Sequence, residues 1–436
     1  MPQTNLLVFA HIGGAAQAQF APCGQLQLTE TERGVDASQF AYGSRYVRRP
    51  EAFAIDPVGL PELQGGRYYF PDKGMAQFGA IRDAAPDAWG RRLIEARRKV
   101  PANSLLESVY LLEAGSERVG ALDVRASLDA PATQGVSSVH ALEYMLETVE
   151  RVELGERVPL RLTDLMGSGP GVGGARPKTS VRDAQGALWL AKFPSVSDTF
   201  DVARAEYATL RLAQSCGLNV PQLQVLDLGR KSCLLVRRFD RYSMPDSPVE
   251  LRLAFASGLS LVGCDEFESR SKSYGDLAHC IRRYGATSSI RRDNAELFGR
   301  MVFNIMVSND DDHLRNHGFL RTPHHSADQG WRLSPLYDVV PRPGVAYERY
   351  LHLGVGPQGK LATLDNAFAA HTLFDLEAPA ALQILARVTQ CVAAWRTHFE
   401  DWAMPLALID SLAPAFRPLA DVASVALMGR MQRHLD

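Results

Sequence analysis

A chain of 436 residues is too long for one compact core, so two or three domains or lobes are expected. With 46% hydrophobic and 22% charged residues it has the balance of an ordinary soluble globular protein, and a net charge of −2 supplies no long-range attraction to nucleic acid or to an anionic membrane. Its six scattered cysteines include no Cys-x-x-Cys pair, which argues against a zinc site or a disulfide framework and for buried free thiols in a reducing cytoplasm.

The first residues, MPQTNLLVFAHIGG, lack the basic region and long apolar run of a signal peptide, and no stretch is apolar for long enough to span a bilayer. Short strand-like runs follow at residues 6–14, 25–30, 39–47 and 53–55, broken by Gly and Pro. Helical patterns come next at 87–99, with Asp87 as a plausible cap, and at 104–114. The Ser/Ala/Pro/Gly stretch 126–138 reads as a boundary, and 139–153 as an amphipathic helix. A glycine-rich stretch then leads into two strands, 178–181 and 187–193, around the turn Asp183-Ala184-Gln185-Gly186. Residues 202–217 have helical period with Gly217 as stop, and 220–229 and 232–241 are two further strands. From about residue 250 the chain is mainly helical, except for a hairpin of residues 317–322 and 331–338 that Pro341 terminates. The expected fold class is α+β, with an N-terminal mixed subdomain at 1–135, a β-rich lobe at 136–245 and a helical lobe at 246–436.

Gly169, Gly171 and Gly174, with Gly173 beside them, fit G-x-G-x-x-G. A dinucleotide fingerprint would open a helix; here a hairpin follows, as in kinases, where such a loop lays its N–H groups over nucleotide phosphates. Lys192 ends the second strand of that hairpin inside an apolar run, in a chain where lysine is scarce, and is a candidate phosphate ligand. Glu206 either orients Lys192 or lies on a solvated helix face. Lys178 and Arg176 are weaker phosphate candidates.

The segment FNIMVSNDDDHLRNHGFL, residues 303–320, puts three adjacent carboxylates between apolar stretches. Such carboxylates repel one another and are costly to pack. Asp311 and Asn316 have the spacing of a kinase catalytic loop, in which the Asp handles the acceptor hydroxyl proton and the Asn binds a metal. Asp310 and Asp312 remain rivals for the base. Asp338, expected at a strand end, is a candidate second metal ligand, and His313 is expected to orient the loop rather than to bind zinc. The order of these motifs points to phosphoryl transfer from ATP with Mg²⁺. A small-molecule kinase and a pseudokinase that serves as a binding partner are the alternatives.

In GGARPKTSV, WLAKFP, RAEYATLRLAQSCGLNVP, LLVRRFDR, NDDDHLRNHGFL and LSPLYDVVP, and in YYFPDKG and PDAWGRRL before them, the chain resembles the HipA family of bacterial serine/threonine kinases. The resemblance implies a bilobal protein-kinase-like fold with an extra N-terminal subdomain. It implies Asp311 as catalytic residue, Asn316 and Asp338 as Mg²⁺ ligands, Lys192 on ATP phosphates, and Val236, Arg237 and Phe239 in the adenine-holding hinge. It also implies a protein substrate, with aminoacyl-tRNA synthetases as target class, and a small helix-turn-helix antitoxin that would link the chain to DNA. Many members carry an autophosphorylated serine at the position of Gly171. If loop phosphorylation occurs in this chain, Ser168 is the expected acceptor.

Overall fold

The computed structural model describes residues 3–72, 74–133, 135–166, 174–344 and 346–433. The chain divides into two compact units. One comprises Met1–Ser197, Leu226–Gly263 and Leu320–Ser326; the other comprises Asp198–Val225, Cys264–Phe319 and Ala327–Asp436.

The first unit opens on an antiparallel sheet built from β1 (Gln3–Gly13), β2 (Ala18–Thr31), β3 (Gly34–Tyr42), β4 (Tyr68–Tyr69) and β5 (Leu122–Arg125), in the order β4-β3-β2-β1-β5. The β1–β2 register slips where Val8 faces Gly24 and Phe9 faces Pro22. Proline has no N–H to give the ladder, so a bulge at this point is the tolerated solution. The strand expected over 39–47 stops at Tyr42, and residues 53–55 form no strand. Their backbone is satisfied by phenols instead. The Tyr46 hydroxyl donates to the Phe53 carbonyl and accepts from the Phe53 N–H, and the Tyr42 hydroxyl accepts from Ile55 N–H and donates to the Leu60 carbonyl.

Behind this sheet the unit is pinned by a buried charge cluster. Asp240, 1% exposed, accepts from Arg238 (2.6 and 2.7 Å), Arg241 (2.7 Å) and the Gly120 N–H (2.7 Å). Burial alone would raise its pKa; the two guanidiniums outweigh it and hold the carboxyl below the usual carboxylate range. Arg238 and Arg241 also donate to the Arg118 carbonyl, which ties residues 117–120 to 238–241.

The second sheet of this unit runs β6 (Lys178–Arg182), β7 (Leu188–Lys192), then β9 (Lys231–Arg237), with the Leu226–Leu228 half of β8 (Leu223–Leu228) beyond β9. One face is covered by two helices. Trp89 and Leu93 of Ala88–Arg98, and Leu142, Met145 and Val149 of Leu142–Glu153, share a core with Val181, Trp189, Ala191, Cys233 and Leu235. As anticipated, Asp87 caps the first of these helices, its carboxylate accepting from Gly90 N–H at 2.8 Å.

The second unit is helical around Ile290–Val307, against which Tyr274–Tyr284 and Ala378–Ala393 pack. Val202–Ser215 also packs on Ala378–Ala393, and Gly217 follows it with φ +80°, as a stop signal requires. The expected strand 331–338 ends at Leu333. Pro335 offers no N–H to continue a ladder, and Leu336 N–H turns to the Asn219 carbonyl at 2.7 Å. The six cysteines form no disulfide; five are buried and Cys391 is half-buried. Among the described residues no helix is long and apolar enough to cross a membrane.

Candidate active site

The candidate site residues fall into two sets, one in each unit. In the first unit the strand register sorts side chains by face. Lys178 is opposite Lys192 and Leu190 is opposite Val236, while Val181 is opposite Trp189. Side chains alternate along a strand. Trp189 and Ala191 point into the helix-covered core, so Leu190, Lys192, Lys178 and Val236 occupy the other face. Arg237 is opposite Trp189 and its guanidinium lies over that indole at 5.6 Å, so of the hinge candidates only Val236 shares the Lys192 face. Phe239 follows in the segment after β9.

Lys178, 4% exposed, forms an ion pair of 3.0 Å with the second oxygen of Asp87. Gly174 has φ +98°, and a β-carbon there would lie 2.9 Å from the Lys178 ammonium. The backbone conformation favours glycine at 174; the lysine tip could shift to admit a β-carbon. Gly169, Gly171, Gly173 and Ser168 lie outside the described residues. Lys192 on this face, close to a backbone position that favours glycine, suits a phosphate of a nucleotide, while the buried Lys178 ammonium is engaged with Asp87.

In the second unit, helix Ile290–Val307 ends at Ser308, whose φ of +53° turns the chain out of the helix. The three aspartates then separate sharply. Asp312 is 2% exposed and accepts from the Tyr274 hydroxyl, from Asn304 Nδ2 at 2.7 Å and from His317 Nε2 at 3.1 Å. Burial would push its pKa up; the His317 and Tyr274 contacts outweigh it and keep the carboxyl below the ordinary value. Asp310 and Asp311 face outward with side chains 44% and 58% exposed, bridged by the Arg342 guanidinium at 3.1 Å to each. Partial burial and repulsion from Asp311 raise the Asp310 pKa against the pull of Arg342.

The Asp311 carbonyl accepts from His313 N–H at 2.9 Å and from Asn316 Nδ2 at 2.9 Å. That donation fixes the Asn316 amide so that its oxygen is the atom turned elsewhere. Asp338 adopts φ +61°, and the neighbouring Tyr337 hydroxyl donates to the Arg315 carbonyl at 2.8 Å, tying its segment to that of Asn316. A carboxylate and an amide oxygen are hard donors suited to Mg²⁺, which keeps waters and substrate phosphates as its other ligands, so the donor set fits this ion. Among the described residues no group of three His, Cys, Asp or Glu is arranged around a metal position. His313 packs edge-on to His352 with centroids 5.8 Å apart. Glu206, in helix Val202–Ser215, is 3% exposed, which removes the solvated-face reading.

Sequence reasoning did not single out Tyr274, Asn304 or Arg342. Tyr274 opens helix Tyr274–Tyr284 and Asn304 lies in the last turn of Ile290–Val307, and only a polar group at a core position of helical period would have hinted at them.

Residues 171–395 match the family described as the HipA-like C-terminal domain, just over half of the chain, and the protein belongs to that family. The serine/threonine-protein kinase toxin HipA of Shewanella oneidensis is 24% identical over 215 residues, covering 44% of this chain and 48% of that one. Y4dM of Sinorhizobium fredii, provisionally named a kinase, is 27% identical over 254 residues, covering 54% and 58%. The chain thus spans about half the length of these curated relatives. A solved structure, the Shewanella oneidensis toxin–antitoxin complex of HipA, HipB and operator DNA, aligns over 98% of this chain and 97% of its own with a TM-score of 0.63 at 16% identity. The fold is the kinase-like fold of HipA, with the N-terminal subdomain included.

Proposed function

We propose that the protein is an ATP- and Mg²⁺-dependent serine/threonine protein kinase of the HipA type. The observation that carries this reading is the sorting of the three aspartates. With Asp312 buried and bonded, the exposed carboxylate of Asp311 stands five residues before Asn316, whose amide holds the Asp311 carbonyl. In this reading Asp311 takes the proton of the acceptor hydroxyl while that oxygen bonds to the γ-phosphorus and ADP leaves with the bridging electron pair. Asn316 and Asp338 hold Mg²⁺, which would neutralise phosphate charge when bound. Lys192 and Lys178, with the glycine-rich segment, bind the phosphates; Val236, Arg237 and Phe239 form the adenine hinge; His313 orients the catalytic loop.

By analogy with the HipA toxin, the substrate is a protein, with an aminoacyl-tRNA synthetase as the first class to test, and the consequence is arrested translation. The solved HipA–HipB–DNA complex supports an antitoxin partner that would bring the chain to DNA indirectly. The test is transfer from labelled ATP in the presence of Mg²⁺ to proteins and, separately, to small metabolites of a cell extract. Label in a protein serine or threonine that disappears with Asp311→Asn supports the reading. Label in a metabolite alone replaces it with a small-molecule kinase, and no label in either removes it.

A further inference from the structure

The carboxylate of Asp312 has no place in the chemistry above, yet it is the most heavily bonded group of the loop. Three donors converge on it from three elements: the Tyr274 hydroxyl at the start of helix Tyr274–Tyr284, Asn304 Nδ2 in the last turn of Ile290–Val307, and His317 after the loop. Asn304 also donates to the Tyr274 oxygen at 3.1 Å and accepts from Asn309 Nδ2 at 3.1 Å. Tyr274 and Asn304 are 0% exposed. A buried carboxylate with this many donors is fixed, because each bond lost would strand a charge away from water. Asp312 is covalently next to Asp311, whose carbonyl is held from the other side by Asn316.

We infer that Tyr274 and Asn304 are positioning residues for the proposed phosphoryl transfer: through Asp312 they anchor the loop from below, so that Asp311 and Asn316 keep one geometry. Neither residue touches the reacting groups. The inference rests on the kinase reading, and its consequences separate from that reading.

Tyr274→Phe keeps the ring and deletes the hydroxyl. Losing a hydrogen bond to a charged group should bring a roughly 10- to 100-fold fall in kcat, with a smaller rise in KM for ATP felt through Asn316. Asn304→Leu removes the second donor to the same carboxylate oxygen and should lower kcat as well. Because both donors act on one oxygen, Tyr274→Phe combined with Asn304→Leu should lose less than the product of the two single losses. Hydrogen exchange supplies a readout independent of catalysis. The His313 and Asn316 amides, which bond to Asp311 and His313 carbonyls, should exchange faster in Tyr274→Phe, while those in the middle of Ile290–Val307 keep their rate.

Unchanged loop exchange in Tyr274→Phe overturns the inference, whether or not the wild type transfers phosphate. So does unchanged kcat, or a double variant whose loss is the full product of the single losses, which would leave the cluster a packing feature only. A wild type without transfer activity sinks the kinase reading alone, and the exchange rates still decide the anchoring.

Discussion

Asp87 serves two partners at once, and the two contributions can be pulled apart. One carboxylate oxygen caps helix Ala88–Arg98 at Gly90 N–H, and the other pairs with Lys178 at 3.0 Å, both side chains being about 5% exposed or less. Asp87→Ala removes both: about 1 kcal/mol for the cap and about 3–5 kcal/mol for taking one partner from a buried ion pair. Asp87→Asn keeps an oxygen for the cap but no charge for Lys178, so most of the loss, about 3 kcal/mol or more, should persist. Combining it with Lys178→Met removes the buried cation too and should return the first unit to within about 2 kcal/mol of wild type. Urea denaturation followed by tryptophan fluorescence is the assay, since Trp89 and Trp189 report from the adjoining core. If Asp87→Asn costs no more than about 0.5 kcal/mol, or the double variant loses the sum of the two singles, the pair does not hold β6 to the helix and the reasoning fails.

Asp311→Asn should retain its melting temperature and nucleotide affinity while losing several orders of magnitude in kcat; Asp310→Asn, bearing the same Arg342 contact, should lose far less. Calorimetry of ATP binding to Asn316→Ala and Asp338→Ala should show no gain on adding Mg²⁺, where wild type gains. Arg342→Ala should change folding stability by less than about 1 kcal/mol, because its two ion pairs are solvent-exposed. Burial, then the charges of Arg252 and Arg241, lower the His11 pKa from 6.5 to about 3 against the weaker pull of Glu250. The folded state therefore refuses a proton that the unfolded chain accepts below pH 6.5, and stability present above that pH should fall by on the order of 4 kcal/mol as the pH drops toward 3. His11→Gln should flatten that part of the stability–pH curve, and an unchanged curve would exclude His11 as its source.

The strands and helices that carry the site were legible because each has a local cause: alternation in β7, helical period with Gly217 as stop in Val202–Ser215, a capping Asp before Ala88. The burial of five of the six thiols was legible as well. What sequence left open was decided by contacts at a distance. Nothing in NDDDH distinguishes three identical carboxylates; Tyr274, more than thirty residues earlier, is what draws Asp312 inward. Residues 53–55 look like a strand, and two tyrosine hydroxyls take their hydrogen bonds instead. The short strand ending at Leu333 was overextended because apolar residues past Pro335 kept the pattern after the ladder had stopped.

The first unit is assembled from pieces separated by long intervals, the last of them Leu320–Ser326, whose Arg321 N–H bonds the Ala254 carbonyl at 2.9 Å. A chain emerging from the ribosome makes the N-terminal sheet early, but this unit lacks its closing segment until residue 326 has been synthesised, when much of the helical unit has also appeared. The order of synthesis therefore does not let the first unit finish before the second begins. Cuts at the borders of the family match, near residues 171 and 395, would likewise part β6 from the two helices that cover its sheet.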